Sequence, residues 1–257
     1  MNLTSVQRVK DFLGITSTGT DTAIGRLVTN GSDAIIQWCS RPFQRTVYAP
    51  APLNGTGGKM MRTPDTPIVA VSSLNICNQV IPVSADGVAY GYQFDDKYLY
   101  AFGGLLFPMG KRNVLVGYTA GYTATENDFV PNNPGPYTIT PITGGYAAVD
   151  HGVTYTATGI ALIPVGGTPS AGQYNFANGI YTFAAADTGL QVTLNYDYTP
   201  GAIEQALVEL VGTILKQRDN LGIASKSLRD EHITFSARDI ESQVGSYLWP
   251  YRKIVPT

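Results

Sequence analysis

Few residues in this sequence have the type and spacing to do chemistry. The stretch Leu53-Asn54-Gly55-Thr56-Gly57-Gly58-Lys59-Met60 comes nearest. A phosphate-binding loop uses glycine N–H groups to cradle phosphates, and its Lys-Ser/Thr pair closes on the terminal phosphate and its metal. Here the first glycine's place falls on Leu53, and Met60 stands where a hydroxyl is required. The stretch is therefore expected to be a hairpin tip or a mobile loop. His151 and His232 are the only histidines, and neither has cysteine or carboxylate neighbours at metal-ligand spacing. Asp95-Asp96 and Asp230-Glu231 pair carboxylates in sequence. Adjacent residues of a strand face opposite ways, so these read as solvated turn charges rather than an acid–base pair. No G-x-S-x-G or comparable nucleophile motif is present. The expectation is a protein that is not an enzyme and holds no cofactor or metal.

Composition points the same way. Charged residues make up only 14% of the 257, against about a quarter in a typical soluble domain. Glycine (28), tyrosine (16) and many threonines fill that place, as in β-rich proteins that work through their surfaces. Tyrosine brings apolar area with a polar tip and suits interfaces that stay partly wet. A net charge of −2 provides no basic footprint for stable nucleic-acid binding. Cys39 and Cys77 are the only cysteines. A bridge between them stays open, but one pair makes no disulfide framework and a reduced compartment is expected. No signal-peptide pattern opens the chain, and no stretch approaches the ~18 apolar residues of a membrane span. A soluble protein made in the cytoplasm is expected.

The elements that must position anything functional begin with the strongest periodic signal, Pro200 to Asn220. Ile203, Ala206, Leu207, Leu210, Val211, Ile214 and Leu215 recur at spacings of three and four, which predicts a helix with one buried stripe. Pro200 suits its first turn, and Lys216 and Arg218 its C-terminal end. Two earlier helices are predicted. Val6–Leu13 would be capped by Thr4, and Asp21–Ser40 would bend at Asn30-Gly31 and end near Trp38, a core anchor. From Arg45 to Tyr118 short strands are expected, with Pro50–Gly58 as a loop. The cluster Pro131-Asn132-Asn133-Pro134-Gly135-Pro136 is the best boundary in the chain. Tyr137–Thr199 then lacks Lys and Arg, alternates like strands and turns about every ten residues, as in a small β-sandwich. Leu221–Leu228 reads as a polar linker and His232–Ser236 as a short strand.

The parts outside Tyr137–Thr199 resemble the phage head–tail connector (adaptor) family. The opening helices run into Arg41-Pro42-Phe43. Thr66-Pro67-Ile68-Val69-Ala70-Val71-Ser72-Ser73-Leu74 is similar to the family's P-V-x-S-V strand. Asn113-Val114-Leu115-Val116-Gly117-Tyr118-Thr119-Ala120-Gly121-Tyr122 is similar to its V-x-V-x-Y-x-A-G-Y strand and turn. The fourth is the Pro200–Asn220 helix, followed by a linker and the ending Leu248-Trp249-Pro250-Tyr251-Arg252. Within Tyr137–Thr199, Gly152–Tyr155 through Ala184–Val192 resembles Ig-like modules of phage virion proteins, without the immunoglobulin cysteine pair.

The resemblance implies an α+β fold: a helical connector host domain with a small β-sheet region, interrupted by an inserted all-β, Ig-like sandwich. The stretches would be 1–131 and 200–257 for the host and 137–199 for the insert. It implies a structural virion protein, a dodecameric homo-oligomeric ring docked on the portal protein at the head–tail interface. That ring would extend the DNA channel, without specific DNA binding or membrane contact, and present a platform to tail or stopper/terminator proteins. Glu204, Gln205, Lys216, Gln217 and Arg218 would make contacts between subunits. Leu248, Trp249, Pro250, Tyr251 and Arg252 would form an arm to the portal or to a neighbour. The alternative is a surface adhesion or carbohydrate-binding protein that uses the β insert.

Overall fold

The computed structural model describes residues 2–132, 134–220 and 237–253, with 217–220 and 237–239 by backbone alone. Strand outweighs helix, 38% to 25%, so the expected helical host with a small β region does not hold. The longest strands run 10–11 residues, and threonine and tyrosine recur along them. Pairing across long separations makes them strands, because β preference depends on neighbours more than on the residue. The chain divides into two compact units. One joins Met1–Arg41 with Thr123–Arg252, and the other is Pro42–Tyr122 together with Lys253. This division differs from the three stretches expected from sequence. Neither the predicted linker Leu221–Leu228 nor the predicted strand His232–Ser236 lies within the described residues.

Among the described residues, four helices form one part of the first unit: α1 (Val6–Leu13), α2 (Asp21–Cys39), α3 (Gly201–Asn220) and α4 (Ala237–Leu248). Ser5, not Thr4, caps α1, its hydroxyl accepting from Arg8 N at 3.2 Å. Gly14 ends α1 in the left-handed region, with φ of 68°. α2 runs through Asn30-Gly31 as one unbroken helix, without a turn there. Gly31 and Ser32 are buried, and Ser32 Oγ donates to Val28 O at 2.6 Å while accepting from Leu3 N at 3.0 Å. Tertiary packing there outweighs the ~1 kcal/mol that glycine costs a helix relative to alanine. On α3, Ile203, Ala206, Leu207, Leu210 and Val211 are buried, and the helix packs against α1, α2 and α4, as its spacing predicts. Ile240, Val244 and Leu248 form the matching stripe of α4.

The second unit holds β1 (Thr46–Gly55), β2 (Met60–Arg62), β3 (Ile68–Ile76), β4 (Gln79–Val80), β5 (Gly91–Phe94), β6 (Tyr98–Phe102) and β7 (Gly110–Ala120). They form two sheets, in the orders β1-β7-β3-β4 and β2-β6-β5, over a common core that includes Leu74, Leu99, Phe107, Val114 and Tyr118. β1 continues through Pro50 and Pro52, where a loop is expected from the sequence. It lies at the sheet edge and its register slips between Tyr48 and Ala51, and edges and bulges are where a strand tolerates residues without an N–H.

The first unit also carries β8 (Thr123–Phe129), β9 (Thr138–Ile139), β10 (Gly145–Tyr155), β11 (Ile163–Pro164), β12 (Gln173–Ala177), β13 (Ile180–Phe183) and β14 (Gln191–Pro200). Their sheets, β10-β14-β8 and β11-β12-β13-β9, share a core built on Val153, Tyr174, Tyr181, Phe183, Leu194 and Tyr196. Two features depart from an Ig-like insert beginning at Tyr137. β8 precedes the proline cluster yet pairs with β14 along its whole length. β11 and β12 pair parallel, whereas an immunoglobulin module has antiparallel sheets. Pro200 closes β14 instead of opening a helix, and α3 follows without a connecting loop. α3 packs against both β10 and β14, so this helix joins the β layers to the bundle.

Candidate functional site

The residues singled out from the sequence fall into two places on the helices. At the start of α3, Glu204 is buried. Its carboxylate accepts from Thr4 Oγ1 at 2.8 Å, from Arg8 Nε at 2.5 Å and from Arg8 Nη2 at 3.0 Å. The Arg8 guanidinium also lies 5.5 Å from the centre of the Tyr146 ring on β10. Glu204 thus ties α3 to α1. Gln205 Nε2 donates to Glu209 Oε1 at 2.7 Å, and Tyr247 of α4 donates to the same oxygen at 3.2 Å. Lys216 is exposed, and the side chains of Gln217 and Arg218 lie outside the described residues.

The second place is the end of the bundle where α2 and α4 finish. Leu248 is fully buried, while the 3-10 turn Trp249–Tyr251 carries its tryptophan to the surface, 53% exposed. Trp38, expected as a core anchor, is only half-buried. It meets Trp249 edge-to-face, with ring centres 5.5 Å apart and planes at 82°. The Arg252 guanidinium covers both rings, 5.2 Å from Trp38 and 5.1 Å from Trp249. Cation–π contacts of this kind contribute about 0.5–1 kcal/mol at exposed sites. Beneath them Cys39 is buried, and burial pushes its thiol up to about 12 against the pull of Arg41 and Arg252. Cys77 is exposed, and both cysteines are free thiols.

Two tryptophans and an arginine that remain partly open form the side-chain set that dominates protein interfaces. The sequence points to Trp249 and Arg252 by resemblance, but nothing local points to Trp38 as their partner. Only the packing of α2 against α4 brings them together.

The other chemical candidates have structural surroundings. The stretch around Gly55–Lys59 joins β1 to β2 and is tied down. Gly55 N donates to Asn113 Oδ1 at 2.9 Å and Gly57 N to Phe107 O at 2.7 Å, so these N–H groups do not cradle a phosphate. Asp95 Oδ1 accepts from the backbone of Lys97 and Tyr98, and Oδ2 accepts from Tyr100 at 2.6 Å. The Tyr100 hydrogen bond first, and the two N–H groups after it, hold this carboxyl below its ordinary value. His151 has a carboxylate neighbour that its place in the sequence hides: Nε2 lies 2.8 Å from Oδ1 of buried Asp197 on β14. His232, Asp230 and Glu231 lie outside the described residues. Among the described residues no three His, Cys, Asp or Glu side chains gather as metal ligands. No described helix is long and apolar enough to cross a membrane. No protein-family model matches the chain, and no curated protein matches its sequence.

Proposed function

We propose that this protein is a structural component of a phage head–tail junction, a subunit of the adaptor ring that docks on the portal and extends the DNA channel. The observation that carries the reading is the half-open cluster of Trp38, Trp249 and Arg252. It is built from the opening helices and the Leu-Trp-Pro-Tyr-Arg ending, two of the four motifs that resemble the adaptor family. A tryptophan more than half exposed adds little to its own protomer and much to an interface that covers it. Closed rings use such a patch against a different surface of the next copy. Low overall charge suits a channel through which DNA must slide, since many phosphate contacts would retain it. The ring is proposed to be dodecameric, with Gln205 and Lys216 among its polar contacts and tail or stopper/terminator proteins on its far side.

The test is assembly on purified portal rings, followed by particle mass and negative-stain microscopy. Wild-type protein is expected to bind as a ring. Trp249→Ala should reduce binding by tenfold or more while lowering protomer stability by only about 1 kcal/mol, the loss of one aromatic pair and a cation–π contact. Failure of the wild-type chain to bind portal rings would overturn the proposal.

A further inference from the structure

The β layers of the first unit hold a cleft that the ring proposal does not use. It has a volume of about 510 Å3, within the range of about 300–1,000 Å3 usual for small-molecule sites. A bulge in β10 contributes Asp150, His151, Gly152 and Val153 to its lining. The register against β14 slips between Asp150 and Val153, and Gly152 adopts φ of 114°. Bulges of this kind re-aim side chains beside binding sites. This one turns His151 toward Asp197 and leaves Asp150 directed at the tyrosines of the core.

The charges around the cleft are already committed. Asp150 accepts from Tyr174 Oη at 2.5 Å, from Tyr181 Oη at 2.9 Å and from Gly152 N at 3.0 Å. Burial first, and the Asp150 carboxylate second, push the Tyr174 phenol up, which keeps it a proton donor. His151 Nε2 lies 2.8 Å from the buried Asp197 Oδ1. By contrast, Thr125, Thr154 and Asn195 line the cleft and make no side-chain hydrogen bond to any described residue. The pairings Thr125↔Asn195 and Thr154↔Thr193 bring β8, β14 and β10 side by side behind them. Pro164 and Ala161, both exposed, supply an apolar flank, while the lining residues Val153 and Leu162 belong to the core. Uncommitted hydroxyls and an amide, beside an apolar flank and without a free charge, match a ligand with several hydroxyls, apolar C–H faces and no net charge.

We propose that this cleft binds a neutral saccharide, with Thr125, Thr154 and Asn195 hydrogen-bonding its hydroxyls. The assignment stands independently of the ring. Two sources share this chemistry, a free sugar and a segment of a polysaccharide. The test titrates the full-length, isotope-labelled chain with methyl glycosides of neutral hexoses and N-acetylhexosamines, and separately with soluble neutral polysaccharides. Glucuronate is the charged control.

At least one neutral glycoside or polymer is expected to move the amide signals of Thr125, Thr154 and Asn195. Asn195→Ala and Thr125→Ala should each weaken that binding by about tenfold, the usual consequence of losing one well-placed hydrogen bond. Thr125→Ser, which keeps the hydroxyl, should restore it. Binding of polymer alone would identify a chain segment as the ligand, and binding of glycosides would identify a free sugar; either supports the proposal. Thr125 is exposed, so Thr125→Ala decides the matter even where Asn195→Ala fails to fold. Absence of binding by every neutral ligand, binding unchanged in Thr125→Ala, or a preference for glucuronate would each overturn it.

Discussion

Removing Arg8 and neutralising Glu204 should not cost the same. The Glu204 side chain is 11% exposed and that of Arg8 41%, so only arginine keeps ready access to water when its partner is lost. Arg8→Ala leaves a carboxylate buried among α1 and α3 with Thr4 alone to bond it. Loss of one partner from a buried pair costs about 3 kcal/mol. Glu204→Gln keeps the shape and part of the hydrogen bonding, and its cost should be nearer 1 kcal/mol. Urea unfolding of both variants measures the difference, and equal losses would mean that the pair is effectively solvated. Residues of this kind are where sequence reading reached least far. Glu204 stands on a helix whose apolar stripe is plain, yet its burial depends on Arg8 and Thr4, nearly two hundred positions earlier. Trp38 has the spacing of a core residue, and its exposure follows only from where α4 ends.

At the scale of elements, the helices and most strands were legible, and what stayed hidden was where proline-bearing or polar stretches extend or add a strand. The stripe of α3 and the strand β3 stand in the structure where their patterns place them. The part of β1 beyond Tyr48 was hidden by its prolines, and β8 by polar residues whose partner strand lies some seventy positions away. One residue of β8 shows how such a strand is fixed. Glu126 accepts from Tyr196 of β14 at 2.8 Å and from Thr143 N at 3.1 Å, which pins the segment before β10 to the sheet. Burial alone would raise its carboxyl. The hydrogen bonds from Tyr196, Thr143 and Ile142 together outweigh that and leave it below its ordinary value of 4.5. A depressed carboxyl contributes its full stability above pH 4.5, where folded and unfolded chains are both ionised. As pH falls, the unfolded chain takes up the proton first, and the contribution is lost through the lower folded value. Glu126→Gln is therefore expected to lower Tm at neutral pH and to flatten its decline on acidification. A parallel decline in mutant and wild type would show that Glu126 plays no part.

At the scale of the molecule, the second unit has a core of its own and ends that meet, with Tyr122 N donating to Phe43 O at 2.9 Å. Adjacent ends and a separate core are the usual conditions for a segment to fold when excised. Among the described residues, Lys253 from the far end of the chain also belongs to it. Lys253 Nζ lies 2.8 Å from Asp65 Oδ2, and the Asp65 side chain is only 6% exposed. Residues 42–122 alone should therefore fold, but with a buried carboxylate that has lost its cation. The sign of one substitution then depends on context. In the full chain, Asp65→Asn removes an ion pair and should destabilise by about 1–2 kcal/mol. In the isolated unit it removes an uncompensated buried charge and should stabilise by about 1 kcal/mol. Paired denaturation curves of the two proteins, with and without the substitution, provide the measurement. The same sign in both would mean that Lys253 does not balance Asp65 in solution. An isolated unit that fails to fold even as Asp65→Asn would mean that its core depends on the rest of the chain.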